Sequence, residues 1–181
     1  PHEFSGGMKQ RIVIAIALAC RAKVLIADEP TTALDVTIQA QVLDLIKSYS
    51  NNYGTAIILI THDLGIVAEN CDEVAVMYAG NIVEYGLLED IFNKTKHPYT
   101  EGLFNSLPNI IERRSRLTPI PGMVPDPTEL PDGCVFVERC SYATEACRKT
   151  AQKDIWISDT HMVRCSRYNE DGFNIKRRID K

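Results

Sequence analysis

No stretch of this sequence is apolar for long enough to cross a bilayer. The longest uncharged apolar run, Ile12–Cys20, has nine residues, where a spanning helix needs about 20. No signal peptide precedes that run, so a soluble, cytosolic chain is expected. Charge of neither sign dominates: 20 basic against 24 acidic residues leave a net −4, which argues against general nucleic-acid affinity. Six cysteines in 181 residues are too few for a disulfide scaffold. An opening Met is also missing. The chain starts at Pro1, almost at once inside a motif, and a preceding segment is therefore expected. What is present is ordinary: 45% hydrophobic and 24% charged residues suffice for a buried core and exclude wholesale disorder. The length suits one domain, or one domain plus a small appendage. There is no internal repeat.

The first half alternates helix and strand patterns. Ser5-Gly6-Gly7 precedes an apolar-rich stretch from Met8 to Ala22, with Ser5 as a helix N-cap. Val24–Ala27 reads as a strand buried on both faces, ending in Asp28-Glu29-Pro30. Asp35 is placed to cap a helix over 36–49, with Val42, Leu45, Ile46 and Tyr49 on one face. Thr55–Thr61 is a second buried strand ending at His62-Asp63, and a helix follows near 64–70. Glu73–Tyr78 and Ile82–Tyr85 form a hairpin through Ala79-Gly80-Asn81. The alternation implies an α/β fold with a mainly parallel sheet.

Around Pro98 the composition changes. Seven of the nine prolines lie between Pro98 and Pro131. The run 117–133 (LTPIPGMVPDPTELPDG) should be an extended, fairly stiff connector, because proline fixes φ and donates no hydrogen bond. A short cysteine-bearing segment follows, then a polar tail with Lys176, Arg177, Arg178 and Lys181. The expected divisions are 1–92, a helical and Pro-rich connector over 93–133, a four-cysteine module over 134–166, and the tail over 167–181.

Ser5, Gly6 and Gly7 allow a ligand close to the backbone beside free N–H groups of a helix start. That is an anion site in principle, or simply a capped helix. Asp28 and Glu29 at a strand's C-terminal end suit a hydrated divalent metal and a base, although Asp-Glu-Pro is also good turn chemistry. Ligands of open parallel sheets collect at the strands' carboxyl ends, so Glu29 and His62 should face one crevice.

Taken together, SGGMKQR, then VLIADEPTTALD, then ILITHD resemble the ATP-binding-cassette (ABC) ATPases, a P-loop NTPase family. Phe4–Met8 looks like the signature loop, with Phe4 and Met8 departing from its commonest form. Val24–Asp28 looks like the Walker B strand and Thr32-Ala33-Leu34-Asp35 like the D-loop. The resemblance implies that Ser5, Gly6 and Gly7 bind the γ-phosphate of ATP held by a partner domain. It implies that Asp28 holds Mg²⁺ through water, Glu29 is the general base, His62 contacts the γ-phosphate, and Asp35 couples two sites. The sequence contains no G-x-x-x-x-G-K-[ST] loop. That loop is expected upstream of Pro1, so the chain alone is expected to be inactive as an ATPase.

The last four cysteines, Cys134, Cys140, Cys147 and Cys165, are spaced C-x5-C-x6-C-x17-C. This is neither the paired C-x2-C of zinc ribbons nor a ferredoxin spacing, and disulfides are not expected in a reducing compartment. So short a segment with little core needs a staple, which four thiolates on one metal centre supply. With HPYT, PIPGMVPDP, GCVFVERC and HMVRC, the segment resembles the C-terminal extension of peptide-importer ABC ATPases, the dipeptide, oligopeptide and nickel branch. That resemblance implies a [4Fe–4S] cluster on Cys134, Cys140, Cys147 and Cys165, with zinc the less favoured occupant. Structural stapling is the preferred role and redox sensing the second.

Cys20 and Cys71 read as buried or half-buried thiols, His161 as an alternative ligand one helical turn from Cys165, and His97 as a turn or packing residue. Trp156 reads as packing its segment onto a support. The family further implies a second ATPase domain (identical or paralogous), membrane permease subunits, indirectly a solute-binding protein, no nucleic acid, and a peripheral place on the cytoplasmic face of the membrane. A cluster-binding regulatory module on an ATPase scaffold is the alternative. A soluble ABC ATPase of DNA repair or translation is disfavoured by the proline connector and the cysteines.

Overall fold

A computed structural model describes residues 2–32, 34–107 and 119–175. Two compact units are present, Pro1–Cys71 and Asp72–Lys181.

In the first unit, α1 (Gly6–Ala19) starts at Ser5, whose hydroxyl accepts the Met8 N–H at 3.4 Å. β1 (Val24–Asp28) is followed by α2 (Val36–Tyr53), which begins under Asp35: its carboxylate accepts the Ile38 N–H at 3.0 Å. Gly54, at φ 65, ends α2 in the left-handed conformation that glycine adopts without strain. β2 (Ala56–Ile60) pairs with β1 in parallel, from Val24 opposite Ala56 to Asp28 opposite Ile60. α3 (Leu64–Asn70) is capped by Asp63. Leu25, Ala27, Ile57 and Leu59 alternate inward onto Ile14 of α1 and onto Val42 and Ile46 of α2. Both helices lie on that one face, so β1 is covered on one face rather than two, and Val24, Ile26, Ile58 and Ile60 are exposed. On α2 it is Leu43 that is buried, while the expected Leu45 is exposed.

In the second unit, β3 (Glu73–Tyr78) and β4 (Asn81–Leu87) form the expected hairpin. Ala79 and Gly80 turn it at φ 45 and 75, the left-handed pair whose twist matches paired strands. The helices α4 (Leu88–Asn93), α5 (Pro98–Asn105) and α6 (Glu145–Lys149) follow, then β5 (Ile155–Ser158) and β6 (His161–Val163). The strands form one antiparallel sheet in the order β3-β4-β6-β5. The expectation of a mainly parallel sheet is therefore corrected. Among the described residues parallel pairing is confined to β1 and β2. The hairpin and two strands from the four-cysteine segment share a sheet.

Tyr78, Val83 and Phe136 form the second core, with Tyr99, Ile120, Cys134 and Cys140 packed against it. The described part of the proline-rich run, 119–133, contains no helix or strand. Arg139 holds it: its guanidinium donates to the Pro121 carbonyl at 2.8 Å, the Ile120 carbonyl at 3.1 Å and the Tyr78 hydroxyl at 3.3 Å. The remainder of that run and the basic tail lie outside the described residues, as does Ala33. No described helix is long and apolar enough to cross a membrane.

Candidate functional sites

The two parallel strands of the first unit deliver their acidic and imidazole side chains to one end. Glu29 follows β1 with φ 45, a left-handed conformation that costs a non-glycine residue about 1 kcal/mol or more and tends to gather at functional sites. Its N–H extends the ladder by donating to the Ile60 carbonyl at 2.9 Å. The turn carries the Glu29 carboxylate to His62, two residues beyond the end of β2. Glu29 Oε1 and His62 Nδ1 lie 2.7 Å apart, and the Thr32 hydroxyl donates to Oε2 at 2.9 Å. The hydrogen bond from His62, then that from Thr32, holds the Glu29 carboxyl below its usual range. The same contact raises His62. Both side chains are accessible to solvent, so an approaching ligand can reach them. Asp28 is the last residue of β1, opposite Ile60.

The Ser-Gly-Gly turn stands at the start of α1, with the Ser5 hydroxyl engaged by its own helix. Gly7 faces α2: a Cβ there would come within 3.2 Å of Ile38 Cγ2. Gln10 of α1 donates to the Pro30 carbonyl at 2.7 Å, tying the helix to the loop after Glu29. Asp35 serves as the α2 cap.

In the second unit the four late cysteines converge. Gly133 makes this possible: a Cβ there would lie 2.3 Å from the Cys147 carbonyl oxygen and 2.4 Å from that of Arg148. With glycine, the Cys134 N–H donates to the Cys147 carbonyl at 2.8 Å. A short 3₁₀ turn over Val137–Arg139 brings Cys140 back beside Cys134, and Cys165 follows β6. Cys147 and Cys165 are buried, and Cys134 and Cys140 half-buried. Every pair of the four sulfurs is close enough to interact electrostatically. Peptide N–H groups two residues onward donate to three of them: Phe136 to Cys134, Tyr142 to Cys140 and Arg167 to Cys165. Burial still raises those thiols, Cys140 to about 11 and Cys165 to about 12. At Cys147 burial also acts upward, but donors from Thr144 and Ser166 and the Arg167 charge outweigh it and leave the thiol lowered. Among the described residues no group of three or more His, Cys, Asp or Glu is arranged to hold a metal ion.

Of the remaining expectations, those for His161, Trp156 and Cys20 need revision, while His97 and Cys71 lie as expected. His161 sits in β6, not on a helix, and its Nε2 lies 2.8 Å from the Glu84 carboxylate. Glu84, fully buried in β4, also accepts the Lys96 N–H at 2.6 Å and the His97 N–H at 2.9 Å. Nothing near Glu84 in the sequence signals this role, since its imidazole partner is 77 residues away. His97 is a buried N-cap of α5, its Nδ1 accepting the Tyr99 N–H at 3.1 Å. Trp156 meets Tyr85 edge-on at 6.4 Å but stays 58% exposed, so it buries less than expected. Cys20 is exposed and Cys71 half-buried.

These features define an acid–imidazole pair at the strand ends of the first unit and a thiol-rich segment in the second. Residues 1–32 match the ABC transporter family, and residues 83–147 match the oligopeptide/dipeptide transporter C-terminal region. The first match includes Ser5, Asp28 and Glu29, and the second includes three of the four late cysteines. The chain is 51% identical over 172 residues to the oligopeptide transport ATP-binding protein AppD of Bacillus subtilis, covering 95% of this chain and 52% of that protein. It is 55% identical over 148 residues to the oligopeptide transport ATP-binding protein OppD of Haemophilus influenzae, covering 82% and 46%. With the dipeptide transport ATP-binding protein DppD of that organism it shares 50% over 173 residues, covering 95% and 52%. The chain is thus a homologue of the ATP-binding subunits of oligopeptide and dipeptide ABC transporters. It spans about half the length of these relatives.

Proposed function

We propose that this chain supplies the signature, Walker B, D-loop and switch-histidine part of an ATP-hydrolysing subunit that powers peptide import. The observation that carries the reading is the 2.7 Å contact between Glu29 and His62 at the carboxyl ends of two parallel strands. In this role Glu29 accepts the proton of the attacking water, and His62 holds the γ-phosphate and orients Glu29. Asp28 holds Mg²⁺ through water, and Ser5, Gly6 and Gly7 close on the γ-phosphate of ATP bound by a second ATPase domain, with Asp35 linking the two sites. Rate enhancement then comes mainly from positioning and charge stabilisation. The partners are a second ATPase domain and membrane permease subunits, with the chain on the cytoplasmic face and an extracytoplasmic solute-binding protein acting indirectly. Substitution of Glu29 by Gln in the complete subunit should slow hydrolysis by about 10²–10⁴-fold with ATP binding retained. An unchanged rate would reject the assignment.

The second part of the proposal concerns Cys134, Cys140, Cys147 and Cys165 as ligands of a [4Fe–4S] cluster. The convergence of four thiols, with peptide N–H donors on three of them, supports it. When bound, such a cluster supplies a four-point tether and a one-electron centre. The chain's own contribution is to hold the four sulfurs together, through Gly133, the Val137–Arg139 turn and the β4–β6 seam. Iron and acid-labile sulfide in anaerobically purified protein test it, and a zinc-only preparation would reject it.

A further inference from the structure

We propose that Gln10 is a positioning residue for Glu29: by clamping the Pro30 carbonyl it holds the turn that aims the Glu29 carboxylate at His62. The proposal rests on the reading of Glu29 as general base. A carboxylate is aimed by the backbone that carries it, and at Glu29 that backbone needs holding. Its φ of 45 is one that a residue with a Cβ rarely adopts unless its surroundings impose it. On one side the sheet does so, since the Glu29 N–H donates to the Ile60 carbonyl at 2.9 Å. On the other side stands Pro30, which is buried and has no N–H to give. Its carbonyl is the group by which that side of the turn can be held. The half-buried Gln10 side chain, twenty residues earlier, donates to it from Nε2 at 2.7 Å.

The carboxylate depends on this anchor. The Thr32 N–H donates to the Glu29 carbonyl at 3.2 Å and the Thr32 hydroxyl to Glu29 Oε2 at 2.9 Å, so the turn closes on itself and occupies one carboxylate oxygen. The other, Oε1, lies 2.7 Å from His62 Nδ1. An ionised carboxylate has no proton to give, so Nδ1–H is the donor and the neutral imidazole is held in that tautomer. Gln10 lies one helical turn beyond Gly6 in α1. The helix is itself seated on α2: the Arg11 guanidinium donates to the Gln41 side-chain oxygen, and Gly7 leaves room for Ile38. Gln10 thus passes the position of a fixed helix to the turn that carries Glu29.

The test compares wild type with Gln10→Met, which keeps the side-chain bulk without the N–H, in two readouts. In this chain, the nitrogen-15 signals of His62 under alkaline conditions report its tautomer. The Nδ1–H form should predominate in wild type and give way to the Nε2–H form in Gln10→Met, as it should in Glu29→Ala. In the complete subunit, Gln10→Met should lower kcat by about 10–100-fold with KM for ATP unchanged. An unchanged tautomer or an unchanged kcat overturns the proposal, and the base assignment stands as long as Glu29→Gln still slows hydrolysis. Glu29→Gln without effect on the rate overturns that assignment and the proposal with it. If Gln10→Met does not fold, Gln10→Ala, a substitution that favours helix, decides on the same two readouts.

Discussion

Removal of the Glu84 carboxylate is the sharpest test of how the second unit is held together. Glu84→Ala leaves three donors without an acceptor: the half-buried Lys96 N–H, the buried His97 N–H and the buried His161 imidazole, now at 2.6, 2.9 and 2.8 Å. Each orphaned donor costs about 1–3 kcal/mol. Relief of the carboxylate's own desolvation offsets part of that, and breaking one partner of a buried charged set costs about 3–5 kcal/mol. For a chain of this size each kcal/mol lowers Tm by about 2–4 °C, so the loss should be about 6–20 °C. Glu84→Gln keeps one acceptor oxygen and should fall between wild type and alanine. The damage should centre on the β4–β6 seam, where Glu84 pairs with Val163, and hydrogen exchange at 161–163 should speed up most. Urea unfolding followed by circular dichroism gives the magnitude, with exposed Glu129→Ala as the control. A Glu84→Ala midpoint within about 1 kcal/mol of wild type at unchanged m would refute the buried-acceptor reasoning.

Three further outcomes are expected. Gly133→Ala should cost about 2–4 kcal/mol in chemical denaturation, because its Cβ meets backbone oxygens at 2.3 and 2.4 Å and must push Cys134 off Cys147; Gly6→Ala, with open space around it, should not destabilise. His97 is driven down to about 3 by burial, and its Nδ1 is occupied as an acceptor. Below pH 6.5 the unfolded chain therefore binds a proton that the native state refuses, so stability should fall by up to about 1.4 kcal/mol per pH unit toward pH 3, and His97→Gln should flatten that slope. In the first unit, NMR titration should place His62 above 6.5 and Glu29 below 4.5, as their mutual contact requires. The charged pair is complete between those two values. It is lost as pH rises through the His62 value or falls through that of Glu29, and Glu29→Gln should return His62 toward 6.5.

Much of the first unit was legible because its determinants are local. A cap needs a side-chain oxygen two or three residues before the N–H it accepts, so Ser5, Asp35 and their helices follow from short-range pattern. The apolar runs of β1 and β2 and the left-handed Ala79-Gly80 turn are equally local. Glu29 and His62 each follow an apolar strand run, and the carboxyl ends of neighbouring parallel strands face one crevice, so their proximity is legible in the same short-range pattern.

The rest depended on partners distant in the sequence. Which side of α2 is buried, Leu43 rather than Leu45, depends on where the sheet lies. The antiparallel order β3-β4-β6-β5 joins strands separated by a proline-rich run whose path no local rule encodes. Glu84 resembles any strand glutamate until His161 and the backbone at 96–97 close around it. The sequence by itself determined the chemical inventory: the paired acids, His62 and the four thiols. Tertiary structure decided which of these groups meet, and which of the four cysteines receives hydroxyl donors, because hydrogen bonds and burial depend on distances in space that residue spacing does not carry.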